Sequence, residues 1–217
     1  MTRRSYDQFC GLAGALDLVG ERWTLLVVRE LMTGPKRYTD LADALSGVGT
    51  SLLASRLKRL EDDGICAREY LPPPAASTVY RLTEIGEELG QALLPLVKWG
   101  LRHATPHELG PHTQIRPHWA LLPFTQQADP AALEGIDGTY KIVVEGRPAY
   151  FRVRDGRATV ELGDGSRPVD ATVTLDAVTV AAVGSGRISA IDAAMAGQIT
   201  VEGDEAAVAD LLRALAG

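Results

Sequence analysis

The chain has 217 residues, of which 46% are apolar and 23% charged, which is enough for one large globular domain or two small ones. Its net charge of −6 is unevenly spread, because residues 1–105 carry 13 basic and 13 acidic residues while residues 106–217 carry 9 and 15. No apolar run approaches the roughly 20 residues that span a bilayer, and no secretory signal opens the chain. We expect a cytoplasmic protein that does not bind membranes and whose acidic half avoids phosphates.

Cysteine and histidine usage excludes further classes of protein. Cys10 and Cys66 are the only cysteines, too few for a disulfide scaffold or a cysteine-rich zinc site. The histidines lie in one proline-rich stretch without the carboxylate or cysteine spacing of a metal site, and they are His103, His107, His112 and His118. We predict no metal and no cofactor. Since no nucleophile elbow, phosphate loop or zinc motif occurs, we also predict no enzymatic activity.

The sequence of the first half of the chain predicts four helices. Apolar residues recur there at the spacing of one helical face, and glycine ends several of the segments. The predicted helices cover residues 9–19, 22–31, 39–45 and 50–63, with Thr39 as the N-cap of the third. A short glycine-containing turn joins the third helix to the fourth, which is the helix-turn-helix pattern.

The fourth predicted helix has the two faces of a recognition helix. Leu53, Leu57 and Leu60 share one side, which we expect to be buried. The opposite side has small polar residues near its N-terminus and cations further along, and its members are Ser51, Ala54, Ser55, Lys58 and Arg59. This order suits entry into the major groove by the N-terminal end, with cations near the flanking phosphates. A solvated helix face remains the alternative.

A hairpin follows, as in winged-helix proteins. Residues 65–71 and 78–82 alternate as strands, and the proline-rich segment 72–77 forms the loop between them. This wing is expected to bring Ser77, Arg68 or Arg81 near a phosphate or the minor groove. From Thr83 a long helix has a larger apolar face than one small domain needs, so we assign part of it to a dimer interface.

The pattern changes after a breaker-rich segment. We predict a DNA-binding and dimerisation domain at 1–104, a linker at 105–117 and a second domain at 118–217. The second domain alternates with period two between tight turns, and its predicted strands cover residues 139–145, 149–154, 158–162, 171–175 and 198–202. Helices are predicted at 176–183, 189–195 and 204–216. The fold class is therefore α+β, with a mainly helical winged half and a sheet covered by helices on one face.

Small apolar side chains dominate the predicted helices of the second domain. They either pack tightly against the sheet or leave a cavity for a hydrophobic molecule, and the sequence leaves both alternatives open. The residues expected to line such a cavity are Trp119, Leu122, Phe124, Tyr140, Ile142, Tyr150, Phe151, Ile191 and Met195.

The first half strongly resembles HxlR-type regulators. The matching segments are ALDLVGERWTLL at 15–26, GPKRYTDL at 34–41, LASRLKRLE at 53–61, YRLTEIG at 80–86 and WG at 99–100. The resemblance implies a homodimeric winged-helix protein that binds double-stranded operator DNA, with the first and last helices in the dimer contact. The positions that we expect to contact DNA are Lys36, Arg37, Tyr38, Thr50, Ser51, Ser55, Arg56, Lys58, Arg59, Arg68, Ser77 and Arg81. The segment 49–51 departs from the usual family pattern.

Two further expectations come from resemblance. Cys10 matches a position that some HxlR-type regulators use as a redox or electrophile sensor, although a small buried thiol is the interpretation that we favour. The segments DATVTL at 170–175 and AAMAGQITVEGD at 193–204 resemble sterol-carrier-protein domains, which implies an apolar tunnel. We therefore expect a regulator that responds to an apolar effector. The alternatives are a redox regulator acting through Cys10 with a structural second domain, or a lipid carrier that does not bind DNA.

Overall fold

A computed structural model describes residues 5–103, 114–127, 130–163 and 166–215 of the protein. The chain divides into two compact units, Met1–Leu93 and Leu94–Gly217, and each is described by itself. Most of the predicted linker, residues 105–113, lies outside the described residues, as do His107 and His112.

The first unit has the predicted order of helices followed by a hairpin. Its elements are α1 (Gly11–Val19), α2 (Thr24–Leu31), β1 (Lys36–Arg37), α3 (Tyr38–Ala44), α4 (Thr50–Asp62), β2 (Cys66–Leu71), β3 (Ser77–Leu82) and the start of α5 (Glu84–His103). The three strands form an antiparallel sheet in the order β1-β3-β2. The winged helix-turn-helix architecture is confirmed.

The structure differs from the prediction at the start of α3 and adds one strand before it. Helix α3 begins at Tyr38, one residue before the predicted cap Thr39, and its cap is the extended residue Arg37. The Asp40 carboxylate accepts a hydrogen bond from the backbone N–H of Arg37 at 2.9 Å, which stabilises this earlier start. Strand β1 was not predicted, because two residues are too short to show alternation.

The core of the first unit is built around α4. Leu53, Leu57 and Leu60 are buried there, as predicted, together with leucine and valine side chains of α2 and α3. The start of α5 is fixed against the turn before the hairpin, where the Thr83 hydroxyl donates to the Gly64 carbonyl at 2.6 Å. Gly86 is required nearby, because a Cβ at this position would lie 2.0 Å from the Ile65 carbonyl oxygen.

The second unit has one five-stranded sheet in the order β6-β5-β4-β7-β8. Its strands are β4 (Gly138–Val144), β5 (Arg147–Arg154), β6 (Arg157–Glu161), β7 (Ala171–Leu175) and β8 (Ile199–Gly203). Its helices after α5 are α6 (Pro117–Leu121), α7 (Phe124–Gln127), α8 (Pro130–Leu133), α9 (Ala177–Gly184), α10 (Ala190–Met195) and α11 (Glu205–Leu215). Only β4 and β7 pair in parallel; the other pairs in this sheet are antiparallel.

One face of this sheet carries the core. Tyr140 and Ile142 of β4 and Phe151 of β5 are buried on it, against Val180 of α9 and Leu211 of α11. The strands therefore have the predicted in-and-out alternation, and helices cover the buried face. Helices α6, α7 and α8 have five residues or fewer, which is too short for a helical period to appear in the sequence.

Candidate functional site

Helix α4 presents a polar face beside its buried leucines. Ser51, Ser55 and Lys58 recur at the spacing of one helical face, and all three are exposed. The helix begins after the extended residue Gly49, so its first N–H groups have no partner inside the helix. Tyr38 holds this end in place, because its hydroxyl donates to the Thr50 carbonyl at 2.8 Å. The exposed residue Thr50 completes the polar end.

The two arginines of α4 bind the body of the protein. Arg56 and Arg59 both pair with the carboxylate of Glu21, in the turn between α1 and α2, and the Arg59 contact is 2.6 Å long. The side chains of both arginines are less than a third exposed. Within the part of the chain that the structure describes, Lys58 pairs with Asp62 alone, four residues on, and both side chains are largely exposed. Glu21 was not among the predicted site residues, although it lies in the GERW segment that carried the resemblance.

Lys36 requires a correction. Its side chain was expected to contact DNA, but only 7% of the residue is exposed. Its ammonium group donates to the carbonyls of Thr33 and Gly34, both at 3.1 Å, just beyond the end of α2. Burial lowers the pKa of Lys36, and the nearby Glu30 partly offsets that effect. This lysine completes the end of a helix and is not available to a phosphate.

The three-stranded sheet of the first unit carries further residues that were predicted to contact DNA. Arg37 and Arg68 are exposed, and neither forms an ion pair with any residue that the structure describes. Arg81 is also exposed, but its Nε donates to a carboxylate oxygen of Glu69 on the neighbouring strand at 2.8 Å. Ser77 begins β3 and is half-buried. The exposed cations of this sheet without an ion pair among the described residues are therefore Arg37 on β1 and Arg68 on β2, in the wing.

The N-terminal segment and α1 have large apolar side chains that are exposed to solvent. Four of them are exposed, and we call them the apolar arm: Tyr6, Phe9, Leu12 and Leu16. The Asp17 carboxylate holds the start of this segment, accepting hydrogen bonds from the Ser5 hydroxyl and the Tyr6 backbone N–H. Several large apolar side chains exposed on one segment are typical of a site of association.

The two cysteines have opposite environments. Cys10 is exposed at the start of α1, so the buried thiol that the sequence favoured is not what the structure shows. The backbone N–H groups of Ala13 and Leu12 lower the pKa of Cys10, because they stabilise its thiolate. Cys66 is buried, and desolvation followed by the charge of Glu61 raises its pKa to about 11. Cys66 is therefore structural, as predicted.

The second unit contains a small apolar cavity between its sheet and its helices. Its volume is about 40 Å³, and every residue that lines it is apolar. The lining residues are Leu121, Phe124, Ile142, Phe151, Val173, Leu175, Val180, Val183, Ala190, Ile199 and Leu215. Three predicted lining residues, Phe124, Ile142 and Phe151, are among them. Period-two alternation of Val173 and Leu175 on β7 was the signal that could have identified two more.

Several residues that were predicted to line the cavity do not line it. Tyr150 directly precedes Phe151 on β5 and so points to the other face of the sheet. On that face the Arg167 guanidinium lies 5.0 Å from its ring centroid. Ile191 and Met195 are 52% and 84% exposed, because α10 buries Ala193 instead. The cavity is also not lined by Trp119, Leu122 or Tyr140, although Leu122 and Tyr140 are buried.

Two other features are absent from the described part of the chain. Among those residues, no group of histidine, cysteine or carboxylate side chains is arranged to hold a metal ion. No described helix is both long enough and apolar enough to cross a bilayer.

Comparison with known proteins separates the chain into the same two parts. The HxlR-like helix-turn-helix family model matches residues 18–108, and the SCP-2 sterol transfer family model matches residues 120–216. An uncharacterized HTH-type transcriptional regulator of Mycobacterium tuberculosis is 40% identical over 104 residues, 48% of this chain and 65% of that protein. This chain thus spans less than two thirds of that relative's length.

A second similar protein is the HTH-type transcriptional regulator YodB of Bacillus subtilis. It is 33% identical over 95 residues, which are 44% of this chain and 85% of YodB. The solved structure of reduced YodB has a TM-score of 0.40 at 32% identity, and the match covers 46% of this chain and 98% of YodB.

Proposed function

The chain belongs to the HxlR-like helix-turn-helix family, and we propose from this membership that it is a homodimeric regulator of transcription that binds operator DNA. The observation that carries the proposal is the exposed polar face of α4. Ser51, Ser55 and Lys58 lie on it without burying apolar surface, while the leucines of the same helix form the core. A helix anchored in this way can enter the major groove as a rigid element.

The roles on this face follow from side-chain chemistry. Ser51 and Ser55 lie near the N-terminal end of α4 and carry hydroxyls that donate to and accept from base edges. Lys58 lies further along and reaches phosphates, which are the same in every sequence. Arg68 of the wing and Arg37 of the neighbouring strand β1 add exposed cations that can bind the flanking phosphates.

The test begins by selecting an operator from a pool of random-sequence duplexes. Ser55→Ala is expected to change the preferred sequence, since it removes a group that reads bases. Lys58→Ala is expected to weaken operator and scrambled duplexes alike and to reduce the log–log salt slope by roughly 0.9. Substitutions on this face that leave both affinities unchanged would contradict the assignment. A pool from which no sequence is enriched would contradict DNA recognition itself.

The second unit is proposed to bind an apolar effector. Its support is the wholly apolar lining of the cavity together with the match to the SCP-2 sterol transfer family. A cavity of about 40 Å³ is smaller than the roughly 150 Å³ that admits benzene, so a larger ligand has to displace side chains of α9 or α10. To regulate, such a ligand must bind the DNA-bound and free states with different affinity, typically by about 1–3 kcal/mol.

Thermal unfolding with straight-chain fatty acids of increasing length tests the effector. We expect the melting temperature to rise with at least one chain length, because a ligand of the native state stabilises it. Repeating the titration with operator DNA should change the apparent affinity of the fatty acid. If a fatty acid binds with the same affinity in the presence and absence of DNA, the second unit is a carrier. If no fatty acid raises the melting temperature, the second unit is structural.

A second candidate function is electrophile sensing through Cys10. The specific observation is the exposed thiol, whose pKa is lowered by two backbone N–H groups. Alkylation by iodoacetamide near pH 8 is expected to label Cys10 much faster than Cys66, which is buried and has a pKa of about 11. If Cys10 is a sensor, treatment with iodoacetamide should lower the operator affinity of the wild-type protein. The Cys10→Ser variant should keep its operator affinity after the same treatment. Unchanged affinity after complete labelling of Cys10 would reject this candidate.

A further inference from the structure

One carboxylate in the first unit binds two arginines of α4. Glu21 lies between α1 and α2; its Oε1 accepts a hydrogen bond from Nη1 of Arg59 at 2.6 Å, and its Oε2 pairs with Nη2 of Arg56. Each carboxylate oxygen therefore serves a different arginine. We call Glu21, Arg56 and Arg59 the clasp. An arginine held in this way has to break a charged hydrogen bond before it can reach a phosphate.

Asp63 and two backbone carbonyls also bind these arginines, and Nε of Arg59 lies 3.7 Å from a carboxylate oxygen of Asp63. Nη2 of Arg59 donates to the backbone carbonyl of Asp17 at 2.7 Å. This carbonyl is one of the last four of α1, so it has no hydrogen-bond partner within that helix. Nε of Arg56 donates to the Arg22 carbonyl at 3.1 Å. The contacts thus join α4 to the end of α1 and to the turn that leads into α2.

This turn contains a backbone conformation that is unfavourable for a side chain. Trp23 has φ = 78°, in the left-handed region, directly before α2 begins. Such a residue keeps its conformation only where surrounding contacts fix it. The clasp supplies two of these contacts, through the carboxylate of Glu21 and the carbonyl of Arg22, so the turn and α4 fix each other.

Resting on the DNA-binding function proposed above, we propose that Glu21 is a positioning residue for DNA recognition. It fixes the orientation of α4 against the α1–α2 turn, and it keeps two guanidinium groups from binding phosphates of any sequence. Sequence discrimination then depends on the face that carries Ser51, Ser55 and Lys58. The clasp raises the ratio of operator affinity to scrambled-DNA affinity, instead of raising affinity for DNA in general.

Glu21→Gln tests this proposal, and Asp62→Asn is its matched control. Both variants remove one negative charge that pairs with a cation of α4, but among the described residues the carboxylate of Asp62 pairs with the exposed Lys58 alone. Binding is measured with the selected operator and with a scrambled duplex of equal length, at several salt concentrations. For Asp62→Asn we expect both affinities to rise by the same factor, so that their ratio is unchanged.

For Glu21→Gln we expect the ratio of operator to scrambled affinity to fall roughly tenfold, the size of losing one charge-assisted contact. The salt slope for scrambled DNA should steepen by about 0.9 for each arginine released. If instead both affinities rise equally, Glu21 acts only through its charge and the proposal is overturned. If the wild-type protein does not discriminate between the two duplexes, the proposed DNA recognition has failed as well.

Arg59→Gln is a second variant that keeps the inference falsifiable should Glu21→Gln unfold. It also opens the clasp, but no guanidinium is released, so the ratio of operator affinity to scrambled-DNA affinity should fall while the salt slope for scrambled DNA stays unchanged. A direct phosphate contact by Arg59 would instead weaken binding to both duplexes by the same factor and reduce both slopes by about 0.9. That outcome would overturn the proposal, and thermal melting of each variant shows whether it is folded.

Discussion

The N-terminal segment of the first unit and the sheet of the second unit hold apolar side chains in opposite environments. The first unit buries leucines of α2, α3 and α4 in its core and exposes the apolar arm, from Tyr6 to Leu16, to solvent. The second unit buries Tyr140, Tyr150 and Phe151, and between its sheet and helices it has a small cavity lined by apolar side chains alone. Exposed apolar surface is covered by another protein surface, whereas an internal cavity admits only a small molecule. The same hydrophobic effect thus favours association in one unit and ligand binding in the other.

The largest expected effect is in the core of the second unit. Phe151→Ala removes a fully buried ring that also lines the cavity, so we expect the free energy of unfolding to fall by about 3–5 kcal/mol. Denaturant unfolding measures it. Met195→Ala is the control, since this side chain is 84% exposed and should change stability by less than about 0.5 kcal/mol. Similar losses for the two variants would mean that the exposed face of α10 is covered.

An intermediate effect is expected at the apolar arm. Phe9→Asp places a charge on surface that we assign to the dimer contact, so the dimer dissociation constant should rise roughly thirtyfold, about 2 kcal/mol. Sedimentation equilibrium measures this constant. Tyr70→Asp is the control, because Tyr70 is an exposed aromatic residue on the wing, away from the arm. A wild-type protein that is monomeric at micromolar concentration would contradict the assignment of the arm to dimerisation.

The smallest expected effect distinguishes a real cavity from a packed core. Val173→Ile adds one methylene group to a residue that lines the cavity, so we expect stability to rise by up to about 1 kcal/mol. Val160→Ile makes the same change in the same core away from the cavity, and overpacking should lower stability by about 1–3 kcal/mol. Calorimetric melting compares the two variants. Equal destabilisation would show that the space near Val173 is already filled.

The sequence predicted the fold closely because its patterns are long and repeated. The α4 segment carries three leucines at helical spacing, and the strands of the second unit alternate over five to eight residues. Short elements gave no such pattern, which is why β1 and helices α6 to α8 were missed. Among the cavity residues, Tyr150 was misplaced because two successive strand residues were assigned to one face.

The sequence by itself determined the two-part organisation, the exposed face of α4 and the structural role of Cys66, since these depend on local periodicity and residue type. Tertiary structure alone decided which cations remain accessible. Lys36, Arg56 and Arg59 all looked like phosphate contacts, yet one is buried against carbonyls and two are held by Glu21. Glu21 is 38 residues from Arg59 along the chain. A charge is neutralised by whatever lies within a few ångströms in space, and sequence spacing does not reveal that partner.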